Sequence, residues 1–367
     1  MMMAAFGCQS VATTSAKLRN QEGNYELAIK LAQEAIAKNP KDAEAHFQLG
    51  VSYSYLDSVA LAYEHFMKAK ELDPEKAADV DNNIQSNFAK HYKLGQSSFN
   101  RSDMKTAVSE FELATKANPT QAIAYYNLAA AYQRLAQSES SSGVVATPRD
   151  TTGAAVTPPE SPEVVQMHKQ ALAAADKVLS LSNPTEANYT KALRIAGEEL
   201  IVLHREDEAG QRFKRLIDED PASYKVIEDI GTEELDQKNF KAAAEFLKLA
   251  AKARERVGAP DAKVYYNIGV SLYNLRKEDR SHIDEAISYY QKALDITPND
   301  PDTVFNILVA YAAKEDWSDA AQWGEKYVTV NPSDANGWKL LARSYSELGD
   351  RDKAEEAMKR FDMLKQP

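Results

Sequence analysis

One spacing recurs along this chain and limits what it can fold into. A small residue is followed after 12 positions by a second small residue. A third slot comes 7 positions later, and a proline 5 beyond that. The series runs Gly50, Ala62, Ala69, Pro74, and again Gly95, Ala107, Ala114, Pro119. It also runs Ala16, Ala28, Ala35, Pro40, then Gly197, Ala209, Leu216, Pro221, then Leu308, Ala320, Tyr327, Pro332. Gly231, Ala243, Ala250 and Ala342, Ala354, Phe361 keep the 12 and the 7 without the proline.

Each slot has a physical reading. His46, Leu49, Gly50 and Tyr53 fall at i, i+3, i+4 and i+7, one face of a helix. After the "LD" break, Ala62, Phe66 and Ala69 mark one face of a second helix. Gly50 and Ala62 are small where two helices approach closely. Pro74 cannot continue a helix interior, and it biases Asp73 away from helical geometry. Each unit is therefore a helical hairpin of about 34 residues, which cannot bury its apolar face alone and must stack on its neighbours.

With these small, bulky and proline slots, the sequence resembles the tetratricopeptide repeat family. Nine units account for nearly everything after residue 8. The resemblance implies an all-α, right-handed superhelical solenoid of about nine hairpins. There are departures. The first unit opens on a weak helix, "SVATTSAKLRNQEG". The seventh carries five extra residues around "RKEDRSH", since Gly269 to Ala286 is 17. The ninth ends on its second helix, where Lys353, Glu355, Glu356, Lys359 and Arg360 offer a polar outer surface. The fourth is split. Ala129 ends its first-helix pattern, and the second helix resumes at Ala171 and Val178. The Ser-, Thr- and Pro-rich stretch between them has no helical period. The expected organisation is residues 1–8 as an anchor segment, 9–137 as an N-terminal array, 138–162 as a disordered insertion and 163–367 as a C-terminal array. The insertion reads as a tolerated loop excursion, with a docking or modification segment as the alternative.

Repeats leave no spare domain in which a catalytic site could be preorganised. The sequence has no glycine-rich phosphate loop, no HExxH and no GxSxG. No cofactor is implied. His46 and His91 occupy the bulky core slot of their first helices, while His204 and His282 fall in expected turns. A single cysteine excludes an intramolecular disulfide framework and a cysteine-based zinc site. The net charge of −11 and the lack of a basic block argue against nucleic acid. Lys252, Arg254 and Arg256 read as a solvated helix face. An unrecognised enzyme or metal protein remains the competing class.

In the tetratricopeptide repeat family one stripe of the first helices lines the groove where partners bind. By resemblance, that stripe here begins after each bulky core slot. The second unit supplies Phe47 and Tyr55, the third Tyr92 and Phe99, and the fourth Tyr126 and Arg134. The seventh supplies Tyr266 and Tyr273, and the eighth Phe305. Aromatic side chains give contact area, and nearby amides can bond a peptide backbone. Charged Lys191, Arg194, Glu198, Glu228 and Asp236 interrupt the stripe in the fifth and sixth units. The bland alternative is that the family pattern itself often has tyrosine in these slots. The implied partners are proteins or peptides, held as extended segments or amphipathic helices. Some family members grip a chaperone's C-terminal carboxylate with paired Lys, Asn and Arg. Here Asn127 fits the central slot, but Tyr92, Gln96 and Ile195 stand where its neighbours would be needed, so that clamp is not expected.

Cys8 follows Gly7 in "MMMAAFGCQS". Ala-Phe-Gly-Cys resembles the end of a bacterial lipoprotein signal, in which the cysteine carries lipid. Ala5 is a weaker match than leucine. The upstream segment has neither the basic region nor the full apolar core of such a signal, and the methionine run suggests a start codon placed too late. On this reading Cys8 is the lipidation site, "QSVATTSAK" is a tether, and the protein faces the periplasm of a bacterial cell envelope. Gln9 after the cysteine resembles the outer-membrane sorting pattern. The alternative is a cytoplasmic adaptor with no membrane link and an incidental thiol.

Overall fold

The computed structural model describes residues 10–142 and 161–365. Among them the regular structure is all helical: eighteen α-helices and two 3-10 turns, with no strand. The chain separates into two compact units, Met1–Arg205 and Glu206–Pro367.

The first unit holds α1 (Val11–Gln21), α2 (Tyr25–Lys38), α3 (Ala43–Tyr55), α4 (Val59–Leu72) and α5 (Ala77–Asn100). It continues through α6 (Met104–Ala117), α7 (Ala122–Ser142), α8 (Pro162–Leu181) and α9 (Ala187–Val202). Successive helices pair as α1/α2, α3/α4, α5/α6 and α7/α8, and α9 packs on α7 and α8. The second unit holds α10 (Glu206–Glu219), α11 (Tyr224–Asp236), α12 (Phe240–Arg256), α13 (Ala262–Leu275) and α14 (Ser281–Ile296). It ends with α15 (Pro301–Lys314), α16 (Trp317–Val330), α17 (Ala335–Leu348) and α18 (Arg351–Lys365). Here α10 packs on α12, and the hairpins are α11/α12, α13/α14, α15/α16 and α17/α18.

The small-residue slots are steric. A Cβ on Gly50 would lie 2.6 Å from the Phe66 ring, and one on Gly95 2.6 Å from Phe111. A Cβ on Gly269 would lie 2.4 Å from Tyr290. Ala62, Phe66 and Ala69 are fully buried between the helices, so the recurring spacing is a record of close helix–helix approach. Helix starts are set by side-chain caps, with Asp42 accepting from the Ala45 amide, Asp103 from Thr106 and Asp300 from Thr303. The turns inside several hairpins pass through a left-handed residue, as at Asp57, Ser102, Lys238 and Glu315.

Several expectations are corrected. The expected loop excursion began at residue 138, but α7 runs on to Ser142, and Ser161 already caps α8. Leu135 and Ala136 are buried in α7 and Lys105 pairs with Glu139 at 2.9 Å, which carries the helix past the point where its apolar period fades. Residues 143–160 lie outside the described residues. The chain divides at Arg205, not at the insertion, because α7 and α8 pack as one hairpin. Residues 11–17 of the expected tether are helical: Ser10 accepts from the Thr13 amide and starts α1. Cys8 and residues 1–9 lie outside the described residues. His282 sits in the first turn of α14, not in a loop. The outer face of α18 also exposes Met358, Met363 and Leu364 beside its charges.

The two core-slot histidines are buried, as the helix pattern indicated. His46 Nδ1 meets His65 Nδ1 at 3.0 Å, and His91 Nδ1 meets Glu110 at 2.8 Å. A third, His168 on α8, pairs with Glu199 on α9 at 2.6 Å, both side chains buried.

Candidate functional site

Within the first unit the first-helix stripe runs along α3, α5, α7 and α9. Phe47 is half-buried, its ring centroid 5.7 Å from that of Phe66. Tyr55, at the last position of α3, is 64% exposed and stacks face to face on Tyr25 with centroids 4.4 Å apart. Tyr92 and Phe99 lie half-buried on α5, both packed against Phe111.

These side chains are tied from repeat to repeat. The Asn127 amide donates to the Tyr92 hydroxyl at 2.8 Å, and Gln96 donates to it at 3.1 Å. Burial pushes the Tyr92 phenol up, partly offset by the Asn127 bond. The exposed Arg134 guanidinium lies 4.4 Å over the Phe99 ring, and the Lys191 ammonium 5.5 Å from the Tyr126 ring centroid. Gln133 donates to Glu198 at 2.9 Å. Burial pushes the Glu198 carboxyl up, against the pull of Arg194 and the Gln133 bond. Lys191 and Glu198 were expected to interrupt the stripe. Both touch it, Lys191 as a cation over the Tyr126 ring and Glu198 as the acceptor of the Gln133 amide. Of the residues flanking Asn127 in that comparison, Gln96 donates to Tyr92 and Ile195 is buried.

Within the second unit the stripe runs along α11, α13, α15 and α17. Asn306 donates to the Tyr266 hydroxyl at 3.1 Å, repeating the Tyr92–Asn127 arrangement. Burial also pushes the Tyr266 phenol up. Tyr273 is flanked by the Arg276 guanidinium at 4.1 Å, and Phe305 packs on Tyr327 at 4.9 Å. Between α11 and α13 lies a groove of about 330 Å³. Carboxylates of α11 line one side, and Lys263, Val264 and Asn267 the other.

The basic group on α12 is a solvated face in part: Lys252 and Arg256 are exposed, whereas Arg254 is largely covered and its guanidinium is bonded within the fold. Arg254 Nε donates to Glu228 at 2.6 Å and Nη1 to the Ala259 carbonyl at 2.9 Å. Arg256 donates to the Ile217 carbonyl at 2.7 Å. Glu228 and Ile217 are 26 and 39 residues away in sequence, so no local pattern could reveal those two partners. Among the described residues, no group of three or more His, Cys, Asp or Glu side chains could hold a metal ion. No described helix is long and apolar enough to cross a membrane.

Residues 14–77, 228–301 and 275–337 match one tetratricopeptide repeat profile, and residues 335–366 match a second. No curated protein sequence matches the chain. Similar solved structures include YrrB, a tetratricopeptide repeat protein with an unusual peptide-binding site, at 18% identity and TM-score 0.32, over 70% of this chain and 92% of that one. The C-terminal part of a tetratricopeptide repeat protein from Cytophaga hutchinsonii is 18% identical, with TM-score 0.40, over 75% of this chain and 95% of that one. MamA is 17% identical, with TM-score 0.36, over 49% of this chain and 93% of that one. The recurring slots, the paired helices and the profile matches converge: the chain belongs to the tetratricopeptide repeat family.

Proposed function

We propose that the protein is a non-enzymatic scaffold whose first-helix faces hold peptide segments of other proteins, and that lipid on Cys8 tethers it to a bacterial cell envelope. One observation carries the scaffold reading. Successive first helices present half-exposed aromatic rings in register, Phe47, Tyr92 and Tyr126 in one unit and Tyr266 and Phe305 in the other. The hydroxyls of Tyr92 and Tyr266 are already bonded within the array. A partner therefore meets ring faces and amide edges, which suits contact area without chemistry. Repeats fill the described residues and leave no separate domain for catalysis.

The test is affinity for captured partners after Tyr92→Ala with Tyr126→Ala, or Tyr266→Ala with Tyr273→Ala. A loss of ten-fold or more in at least one pair, with the helical circular-dichroism spectrum intact, is expected. Unchanged affinity in both pairs overturns the groove assignment.

The envelope reading rests on Gly7 before Cys8, the absence of any other cysteine and the polar residues after it. Several acyl chains give firm attachment where one does not. Its test is expression from the native gene with upstream DNA, membrane fractionation and intact mass, beside Cys8→Ser. A lipid-modified membrane form supports it. A soluble, unmodified form overturns it and moves the partner search to the cytoplasm.

A further inference from the structure

Asn127 and Asn306 occupy the same slot, two residues before the position that opens the recurring spacing in their first helices, Ala129 and Leu308. Each donates to the tyrosine of the preceding repeat, Tyr92 or Tyr266. Asn267, two residues before Gly269, is the third member of the set. The residue that faces it from the preceding repeat by this register is Glu228, three before Gly231, where Tyr92 stands three before Gly95. Glu228 is held elsewhere. Arg254 takes both its oxygens, at 2.6 and 3.3 Å, and stacks over Tyr224 at 4.5 Å. Asn267 as a residue is 9% exposed and, among the described residues, its side-chain amide has no hydrogen-bond partner. It lines the groove between α11 and α13.

The opposite wall of that groove is a single stripe of α11. Glu228, Asp229, Thr232, Glu233 and Asp236 fall at i, i+1, i+4, i+5 and i+8. With Glu228 neutralised by Arg254, three carboxylates face one ammonium, Lys263, and two negative charges are uncompensated. Asp229 and Asp236 make no ion pair among the described residues, and Glu233 accepts only from the Gln237 amide at 3.2 Å. No metal-holding group is present there among the described residues, so the charge is not arranged around a single ion.

We propose that this groove binds an extended, cationic segment of a protein partner. Lysine or arginine at alternate positions would lie against Asp229 and Glu233, with the partner's main chain on the Asn267 amide. The spacing fits. Four residues along a helix advance about 6 Å, close to the roughly 6.6 Å between alternate side chains of an extended chain. An amide offers one donor edge and one acceptor edge, the complement of a peptide group. Glutamate in place of tyrosine at 228 thus does two things: it recruits Arg254, and it frees Asn267 for a ligand. This assignment rests on the scaffold reading above and specifies the partner's chemistry.

The test uses the full chain and fluorescein-labelled eight-residue peptides that alternate Lys with Ser, or Glu with Ser, read by anisotropy. The Lys peptide is expected to bind and the Glu peptide not, with affinity falling as salt rises. Asp229→Asn with Glu233→Gln should weaken binding at least ten-fold, whereas Glu356→Gln with Asp362→Asn, on exposed α18, should change it less than two-fold. Asn267→Leu should weaken binding while leaving the melting temperature unchanged or raised, since it removes an amide that the fold does not bond. No binding of the Lys peptide, equal losses from both carboxylate pairs, or a lowered melting temperature in Asn267→Leu overturns the assignment. Partner capture that still depends on Tyr92 and Tyr126 in that case leaves the scaffold reading standing, so the two failures are separable.

Discussion

The Asn127 side chain donates to the Tyr92 hydroxyl across 35 residues of sequence, joining the first helix of one repeat to that of the next. Tyr92→Phe removes the acceptor and leaves a part-buried amide unmatched, at a cost of about 1 kcal/mol. Urea unfolding followed by circular dichroism should show the lowered midpoint. The double variant with Asn127→Leu should cost less than the sum of the singles, since it removes both halves of one bond.

Close approach between helices sets a second expectation. A methyl group on Gly269 would fall 2.4 Å from the Tyr290 ring, and Tyr290 is itself fully buried. Gly269→Ala should destabilise by about 1–3 kcal/mol through overpacking, although alanine is the better helix former. Thermal melting checks the sign: a raised midpoint would mean that the hairpin has slack which the packing denies.

The His168–Glu199 pair joins α8 to α9 at 2.6 Å with both side chains buried. Glu199→Ala removes one half of this buried hydrogen bond and should cost about 1–3 kcal/mol. The loss should appear in the unfolding of the first unit, measured by hydrogen exchange of α7–α9 amides.

Stability should also depend on pH through His46 and His65. Burial pushes both pKa values down, and mutual repulsion adds to the effect at His65. The unfolded chain therefore takes up protons first. The contribution is fully present above the unfolded value of about 6.5 and is lost as pH falls through the lower folded values. Protonation of both rings would also break their Nδ1–Nδ1 hydrogen bond, which needs one ring as acceptor. The melting temperature should fall below about pH 6.5, and His46→Tyr should flatten that slope. An unchanged slope would place the acid sensitivity elsewhere.

Much of the fold was legible because its cause is local and periodic. Gly50, Ala62 and Ala69 are spaced by the geometry of one hairpin, and Phe66 fills the space that Gly50 leaves. The end of α7 was not legible. "QSESSS" has no apolar period, and an ion pair from Lys105 helps support the helix there. The partners of Arg256 and Lys191 were equally hidden, because each lies on a neighbouring repeat whose register only packing fixes. Asn267 shows the same limit at the groove. The residue type is plain in the sequence, but its missing partner follows only from where Arg254 draws Glu228.

The most direct test of the scaffold reading is photo-crosslinking in the native cell. p-Benzoylphenylalanine would replace Gln96 and Asn274, exposed on the first helices α5 and α13, or Lys116 and Gln291, exposed on the second helices α6 and α14. Protein adducts from the first-helix positions, with few from the second-helix positions, are the expected result. Adducts confined to the second-helix positions would contradict it and move the binding face to the other side of the repeats.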